Sequence, residues 1–379
     1  MNIVIAIDSF KGSLTSLQAG NAAAEGIRRV CPDADIAVRP LADGGEGTVD
    51  ALAAGMNGEF RSVEVTDPCD KPVTAKYGII RESNTAVMEM SAAVGLTLVP
   101  PDKRDPMKTT TFGVGEMIRD AISHGCRGFI IGIGGSATND GGVGMLQAFG
   151  YGLLDENGQQ IPYGAEGLSE LVRITDDNVL PELSECRFKI ACDVTNPLCG
   201  DKGCSAVFGP QKGASPESLS VMDKWLAHFA ELTKTITPDA DPDYPGAGAA
   251  GGLGFAFRFY TNASLLPGVE LVLQETNLES YIRNADIVIT GEGRLDAQTA
   301  MGKAPVGVAR LAKKYGKPVI AFAGSVTKDA ATLNECGIDA YFPILRTLCS
   351  LDDAMNTEKA AENLSGTVEQ VFRVIRIGI

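Results

Sequence analysis

Five short segments of the chain place acidic side chains beside glycines, amides or bases. They are residues 8–11, 43–48, 134–142, 193–196 and 291–296. One Asp-Gly pair is typical of a turn, but turn chemistry does not require the pattern to recur five times. Carboxylates can hold a hard cation, and glycine amides can approach phosphate oxygens closely. Phosphoryl transfer needs both kinds of group, so the segments favour that chemistry.

Three common signatures of nucleotide-binding proteins and hydrolases are incomplete in this sequence. Residues 246–251 contain G-x-G-x-x-G, but Asp-Pro-Asp-Tyr-Pro precedes them where a dinucleotide-binding fold has the end of a strand. Lys303 follows a glycine, yet the next residue is Ala304, which has no hydroxyl for the magnesium of a P-loop. A serine hydrolase needs a histidine partner. His124 and His228 both fall in predicted helices, outside the five segments.

The five segments must be held by regular elements, and apolar periodicity predicts where these lie. Strands are predicted at 3–7, 35–40, 128–133, 188–192, 285–290, 318–323 and 340–343. Helices are predicted at 16–30, 110–124, 142–151, 216–235, 305–315, 330–336 and 352–375. Short alternating runs between residues 59 and 91 predict antiparallel strands with no long helix.

Strands that alternate with helices at this spacing predict an α/β protein with parallel sheets covered on both faces. We expect two domains. The first is a parallel, doubly wound sheet of the Rossmann or flavodoxin-like kind, made of residues 1–60 and 265–379. The second is an inserted α/β domain, 61–264, with the antiparallel patch. Ligands of open parallel sheets bind beyond the carboxyl ends of the strands, where most of the five segments are predicted to lie.

Composition limits the partners of the protein. The 379 residues include 33 Lys and Arg against 48 Asp and Glu, a net charge of −15 that repels nucleic acid and anionic membranes. No apolar run reaches the length of a membrane span, and the first ten residues do not form a signal peptide. We therefore expect a cytoplasmic protein without nucleic-acid or membrane partners. The nine cysteines form no C-x-x-C pair, and we interpret them as reduced thiols rather than zinc ligands.

Motifs along the whole chain agree with one known family. They are Asp-Ser-Phe-Lys at 8–11, Ala-Asp-Gly-Gly-Glu-Gly-Thr at 42–48, Gly-Gly-Ser-Ala-Thr at 134–138, Asp-Gly-Gly at 140–142, Phe-Gly-Pro-Gln-Lys-Gly at 208–213, Thr-Gly-Glu-Gly-Arg at 290–294, Asp296, Gln-Thr-Ala at 298–300 and Gly-Lys-Ala-Pro at 302–305. With these motifs the sequence closely resembles the bacterial glycerate kinases that use ATP. That family often has Pro before the first Asp and Glu after the Lys, where this chain has Ile7 and Gly12.

The resemblance implies an enzyme that transfers phosphate from ATP to glycerate with Mg²⁺, in this class usually giving 2-phosphoglycerate. It also implies two α/β domains with the active site in the cleft between them. Two other functions stay open on the residues alone. One is a kinase for another small hydroxy acid on the same scaffold, and the other is a metabolite-binding protein without catalysis.

Chemistry assigns roles within the five segments. Transfer to a hydroxyl needs a divalent ion, cations for the developing charge and an acceptor for the hydroxyl proton. The carboxylate of glycerate suits the fork of an arginine or the point charge of a lysine. We predict four catalytic residues, Lys11, Asp43, Asp193 and Arg294. Binding residues are predicted at Ser9, Gly44, Gly45, Glu46, Gly134, Gly135, Ser136, Lys212, Glu292 and Asp296.

Several of these residues have a second interpretation. Asp193 and Asp140 are the predicted metal ligands, but Asp140 also suits the cap of a helix that begins near Gly142. Lys11 has the alternative of a solvated loop side chain. Lys212 has two, a surface turn or a phosphate ligand.

Overall fold

The computed structural model describes residues 1–42, 47–56 and 58–377. The strands of these residues are β1 (Asn2–Ile7), β2 (Asp35–Val38), β3 (Glu59–Thr66), β4 (Pro72–Ile80), β5 (Thr85–Glu89), β6 (Gly128–Gly132), β7 (Gly152–Leu154), β8 (Arg173–Thr175), β9 (Arg187–Ala191), β10 (Ser264–Leu266), β11 (Ile287–Leu295), β12 (Val319–Val326) and β13 (Ala340–Pro343).

The α-helices of the same residues follow the strands at most steps of the chain. They are α1 (Ser16–Arg28), α2 (Thr48–Gly55), α3 (Ser91–Val94), α4 (Phe112–Ser123), α5 (Val143–Phe149), α6 (Gly164–Gly167), α7 (Cys204–Phe208), α8 (Pro216–Thr233), α9 (Leu253–Tyr260), α10 (Gly268–Glu275), α11 (Leu278–Arg283), α12 (Ala297–Ala300), α13 (Ala304–Lys313), α14 (Leu351–Met355) and α15 (Thr357–Ile377). None of the described helices is both long and apolar enough to cross a membrane.

The chain divides into two compact units. Unit 1 is Met1–Asn57 with Val269–Ile379, and unit 2 is Gly58–Gly268. The domain boundaries written from the sequence, and the active site expected between the domains, stay predictions.

Unit 1 contains a parallel sheet in the order β13-β12-β11-β1-β2. Numbered along the chain within this unit, the order is 2-1-3-4-5, which is the flavodoxin-like arrangement. The strand order reverses between β1 and β11, and ligands of such sheets bind at the carboxyl ends of the strands at that point. With the mixed sheet of unit 2, this arrangement confirms the predicted α/β fold class.

Both faces of the unit 1 sheet are buried. Ile3, Ile5 and Ile7 of β1 face a core that they share with α1 and α15. Val4 and Ala6 alternate with them and are also buried, and α13 packs against β1, β11 and β12. The N-terminus of α1 is also defined by the sequence, because the Thr15 side chain accepts a hydrogen bond from the backbone N–H of Gln18 in a capping box. This burial on two faces is typical of parallel sheets.

Unit 2 is built on a mixed sheet in the order β10-β9-β6-β5-β4-β3. The pairs from β10 to β5 are parallel, whereas β5, β4 and β3 pair antiparallel. The antiparallel part covers the region in which the sequence predicts short alternating strands. The carboxyl ends of β6 and β9 lie side by side, so the loops that follow these two strands start at one edge of the sheet.

Some elements differ from the predictions. β11 runs to Leu295 and includes most of the segment expected to be a loop, because Arg294 pairs with Ser325 of β12. The helix predicted at 352–375 is two helices, since Asn356 has extended backbone angles between α14 and α15. The helix predicted at 330–336 is the 3-10 helix Lys328–Asn334. Helices α2, α3, α6, α7, α9, α10, α11 and α12 were not predicted from periodicity.

The glycine-dense stretch at 246–254 packs against the loop after β6. A Cβ on Gly251 would lie 2.0 Å from the carbonyl oxygen of Thr138, and the φ of Gly251 is +69°. The carbonyl oxygen of Gly251 also accepts a 2.9 Å hydrogen bond from the N–H of Gly141. Glycine is required here by a close approach of two backbone segments, which explains this G-x-G-x-x-G pattern without a dinucleotide.

We predict that Gly251→Ala destabilises unit 2 strongly. Gly200→Ala is the matched control, because Gly200 also has a positive φ (+86°) but no atom within 4 Å of its added Cβ. Both variants bear the backbone cost of about 1–2 kcal/mol, and only Gly251→Ala adds a steric clash. The fluorescence of Trp225, the only tryptophan, reports unfolding of unit 2 in urea. Equal losses of stability in the two variants would contradict the prediction.

Candidate active site

The predicted residues of unit 1 meet at the carboxyl ends of β1 and β11. Ile7 pairs with Gly291 in parallel register, and the N–H of Asp8 donates a 2.8 Å hydrogen bond to the carbonyl oxygen of Gly291. Glu292 and Arg294 lie two positions apart on β11, so their side chains emerge on the same face. Glu292 is buried, whereas the Arg294 side chain is 63% exposed. The Glu292 carboxyl group is therefore held inside the protein, whereas the Arg294 guanidinium group faces outward.

A cavity of about 510 Å³ opens at this edge. Its lining includes six predicted or neighbouring polar residues, Asp8, Ser9, Lys11, Glu292, Arg294 and Asp296. Four further polar residues of the lining had no role assigned from the sequence, namely Ser13, Gln298, Lys303 and Ser325. Lys303 belongs to the quoted Gly-Lys-Ala-Pro motif and could have been found there, but Ser325 has no sequence signal.

Asp296 organises the rim of this cavity. Its Oδ1 accepts hydrogen bonds from the N–H groups of Gln298 (2.9 Å) and Thr299 (3.2 Å), which caps α12. Its Oδ2 lies 3.4 Å from Nε of Arg294. The Thr299 hydroxyl donates a 2.5 Å hydrogen bond to Oε1 of Glu292. Asp296 and Thr299 therefore link the helix cap to both charged residues of β11.

A tight turn places Lys11 at the cavity. The N–H of Phe10 donates to the carbonyl oxygen of Leu14 at 2.8 Å, so the chain reverses around Lys11 and leaves its side chain exposed. Gly12 follows with a φ of +77°, and a Cβ there would lie 2.7 Å from Cε of Met355. The glycine at this position, where the resembled family often has Glu, thus makes room for a methionine that also lines the cavity.

In unit 2, the loop after β6 presents backbone at the surface. Gly134 and Gly135 are exposed, and Ser136 is buried. The carbonyl oxygen of Gly135 accepts from the N–H of Leu96 at 2.8 Å, and the N–H of Ala137 donates to the carbonyl oxygen of Val94 at 3.0 Å. The loop is therefore held to the 94–96 segment on both sides of Ser136.

Lys212 braces the same loop from inside. The residue is 2% exposed, and its Nζ donates to Oγ of Ser136 (2.8 Å) and to the carbonyl oxygen of Thr138 (2.5 Å). Burial lowers the pKa of Lys212 to about 8. The alternative of a surface turn is wrong, because the ammonium group is enclosed. Through these two hydrogen bonds Lys212 holds the loop after β6 in place, so any effect of Lys212 on a ligand would be exerted through the position of this loop.

Asp140 lies in the interior of unit 2, and its carboxylate accepts four hydrogen bonds. It accepts from the N–H (2.8 Å) and the hydroxyl (2.8 Å) of Thr111, and from the N–H groups of Gly142 (3.1 Å) and Gly144 (3.3 Å). Burial raises the pKa of Asp140, and these hydrogen bonds oppose the shift. The arrangement favours the capping interpretation over that of a metal ligand.

Asp193 follows β9 and is exposed. Its Oδ1 accepts a 2.9 Å hydrogen bond from the N–H of Gly268, at the start of α10. The side-chain amide of Asn196, in the same segment as Asp193, donates to the carbonyl oxygen of Lys202 at 2.8 Å. Among the described residues, no group of three or more His, Cys, Asp and Glu side chains is arranged to hold a metal.

The structure thus brings two groups of predicted residues together, one in each unit. Unit 1 gathers the polar lining of its cavity, and unit 2 places the glycine loop on β6 beside β9 and Asp193. Asp43, Gly44, Gly45 and Glu46 lie outside the described residues, so their roles stay predictions. All nine cysteines are free.

The fold is that of an α/β protein in which the candidate site residues lie at the carboxyl ends of parallel strands. The sequence profile of the glycerate kinase family matches residues 3–376. The chain belongs to the glycerate kinase family, and it is accordingly a kinase that phosphorylates an alcohol group of glycerate. The family predicted from the motifs is confirmed.

Individual relatives agree over nearly the full length. The glycerate kinase of Haemophilus influenzae is 47% identical over 375 residues, which is 99% of each chain. The glycerate 2-kinase of Escherichia coli K12 is 47% identical and covers 97% of this chain and 98% of its own. A crystal structure described as glycerate kinase 2 of Salmonella typhimurium LT2 matches with a TM-score of 0.93 and 47% identity, covering 100% of this chain and 99% of the other.

We predict that Asp140→Asn lowers the unfolding free energy of unit 2 by roughly 3 kcal/mol, because an amide NH₂ would face backbone donors in a buried site. Trp225 fluorescence in urea measures this loss. The magnesium concentration for half-maximal activity should stay the same in the folded variant, since Asp140 is enclosed. Asp177→Asn, at an exposed position of the same unit, is the control. A fully stable Asp140→Asn protein that needs much more magnesium would restore the metal interpretation.

Proposed function

We propose that the chain transfers the γ-phosphate of ATP to the 2-hydroxyl of glycerate with Mg²⁺ and gives 2-phosphoglycerate. Membership of the glycerate kinase family supports the substrate, and the Escherichia coli relative is named for the 2-hydroxyl. A kinase of this family implies ATP as the phosphate donor. The observation that carries the assignment to residues is the cavity of unit 1, where cations and acids converge at the strand-order switch point.

Arg294 is the residue that we assign to the carboxylate of glycerate. Its guanidinium group is exposed at the cavity, and Asp296 lies 3.4 Å from Nε. A guanidinium fork can bind a carboxylate through two parallel hydrogen bonds, which fixes orientation as well as charge. Lys11, on the neighbouring strand end, supplies a point charge for phosphate. In a protein with a net charge of −15, such local cations are needed to attract two anionic substrates.

In unit 2, we assign the exposed amides of Gly134 and Gly135 to phosphate oxygens. The hydrogen bonds of Lys212 to Ser136 and Thr138 hold this loop in place before a ligand arrives. Donors that are already positioned need no reorganisation as charge develops on the transferred group. Lys212 is therefore a positioning residue in this proposal.

Asp193 is the described carboxylate that we assign to magnesium or to the hydroxyl proton of glycerate. Mg²⁺ keeps several waters and is usually bound through one or two carboxylates together with substrate phosphates, so one exposed carboxylate at a strand end fits it. When bound, the ion neutralises charge on the phosphates. The side chain of Asp193 holds either this ion or the proton at its carboxylate oxygens.

A coupled assay of ADP release tests the function directly. Purified protein is given ATP and magnesium with glycerate, or with a panel of other small hydroxy acids, and the phosphorylated product is identified by NMR. Release that requires glycerate and yields the 2-phosphate supports the proposal. Release with another hydroxy acid in preference to glycerate would favour a different kinase on the same scaffold, and binding without turnover would contradict catalysis.

We predict that Arg294→Lys lowers kcat/KM for glycerate about tenfold or more, because it keeps the charge and loses the bidentate fork. Steady-state kinetics with glycerate as the varied substrate measure the change. Arg187→Lys is the control, since Arg187 is an exposed arginine at the start of β9, at the other end of its strand from the loop. If the Arg294→Lys enzyme kept its full kcat/KM for glycerate, Arg294 would not bind the glycerate carboxylate, and that role would pass to Lys11 or another cation.

We predict that Asp193→Asn lowers kcat by about 10² or more with little effect on stability, because an exposed asparagine loses the charge but keeps a side-chain oxygen for the N–H of Gly268. Extra magnesium should not restore turnover. The measurements are kcat at saturating substrates and the thermal midpoint, with Asp177→Asn as the control. Near-native turnover would remove Asp193 from the reaction.

A further inference from the structure

The cavity of unit 1 is lined by two chemically different sets of residues. One set is charged and comes from the ends of β1 and β11, together with Lys303 at the start of α13. The other set is apolar and comprises Ile344, Leu345 and the residues of α14 that line the cavity, Leu351, Ala354 and Met355. We call this apolar set the apolar wall. Glycerate is small and polar throughout, so it has no group that would contact the apolar wall.

Three residues of the apolar wall are exposed, whereas Ile344 is buried in the core of unit 1. Leu351 is 76% exposed, and Leu345 and Met355 are each 38% exposed. Single exposed apolar residues are common, but several that line one cavity are typical of a ligand-binding surface. A ligand that matches both sets of residues has a flat, weakly polar body for the apolar wall, joined to a chain of negative charges for Lys11, Arg294 and Lys303. A nucleoside triphosphate has this construction.

Resting on the proposed function, we infer that the unit 1 cavity is the nucleotide site, with the base of ATP against Leu345, Leu351 and Met355. The triphosphate then extends toward the cations of the lining, Lys11, Arg294 and Lys303. The volume of about 510 Å³ lies in the range of small-molecule pockets, and it would be left mostly empty by glycerate alone. The position at the switch point of a flavodoxin-like sheet is also where nucleotides bind in such folds.

The absence of a side chain at Gly12 leaves space for Met355 of the apolar wall. The Cε of Met355 lies 2.7 Å from the position of a Cβ on Gly12, so a side chain there would displace the methionine. Methionine is flexible and polarisable, and it packs well against flat rings. The departure from the family pattern at Gly12 therefore shapes the surface that we assign to the base.

Binding measurements on the full-length protein separate the base from the phosphates. The dissociation constants of magnesium-ATP and of magnesium tripolyphosphate, which has no base, are measured by calorimetry for the wild type, Leu351→Gln and Met355→Gln. We expect each substitution to weaken ATP about tenfold and to leave tripolyphosphate unchanged, because each removes apolar contact with the base. Leu348→Gln is the matched control. Leu348 is fully exposed and does not line the cavity, so its substitution should change neither constant.

Each other outcome has a definite meaning. Unchanged ATP affinity in both variants, with normal glycerate-dependent turnover of the wild type, would overturn the inference and leave the proposed function intact. An equal loss of ATP and tripolyphosphate affinity would also overturn it, since the wall would then act on the phosphate end. If the wild type shows no glycerate-dependent turnover but Leu351→Gln still weakens ATP selectively, the proposed function fails and the nucleotide site stands.

Discussion

The parallel pairing of β1 with β11 is the constraint on which the unit 1 site depends. The hydrogen bond from Asp8 to Gly291 closes this pairing at its carboxyl end. Lys11 follows β1 and Arg294 lies near the carboxyl end of β11, so residues far apart in the sequence reach one cavity. The pairing itself is stabilised by burial of both sheet faces under helices, which makes the geometry of the site a consequence of the core.

Unit 2 positions its loop by a different means, through buried polar groups. An ammonium and a carboxylate without partners would be costly in the interior, but Lys212 and Asp140 have hydrogen-bond partners aimed at them. Lys212 ties together the loop after β6, and Asp140 joins the start of α5 to Thr111. A loop held in this way presents its amides in a fixed geometry, which is the property that electrostatic stabilisation of a transferred phosphoryl group requires.

The acidic character of the chain gives these local features their importance. A net charge of −15 disfavours the approach of ATP and glycerate, so binding has to come from short-range groups in shaped cavities. The unit 1 cavity is lined both by cations and by apolar side chains. In the proposed nucleotide site, the cations would attract the phosphates and the apolar side chains would contact the base, and neither contribution needs a positive field over the whole protein.

The sequence by itself determined the fold class, the family and several elements in detail. Periodicity places α1, and Thr15 caps it as its side chain suggests, because both signals are local. The motifs identify the family, since many separate loops agree. Tertiary structure decided what local patterns cannot specify. Gly-Glu-Gly-Arg resembles a turn, yet pairing with β12 keeps it in a strand. Lys212 follows a Gly-Pro turn pattern, and only the packing of distant segments buries it. The apolar wall combines residues that follow β13 with residues of α14. The spacing of residues along one segment does not indicate which segments come together in the folded protein.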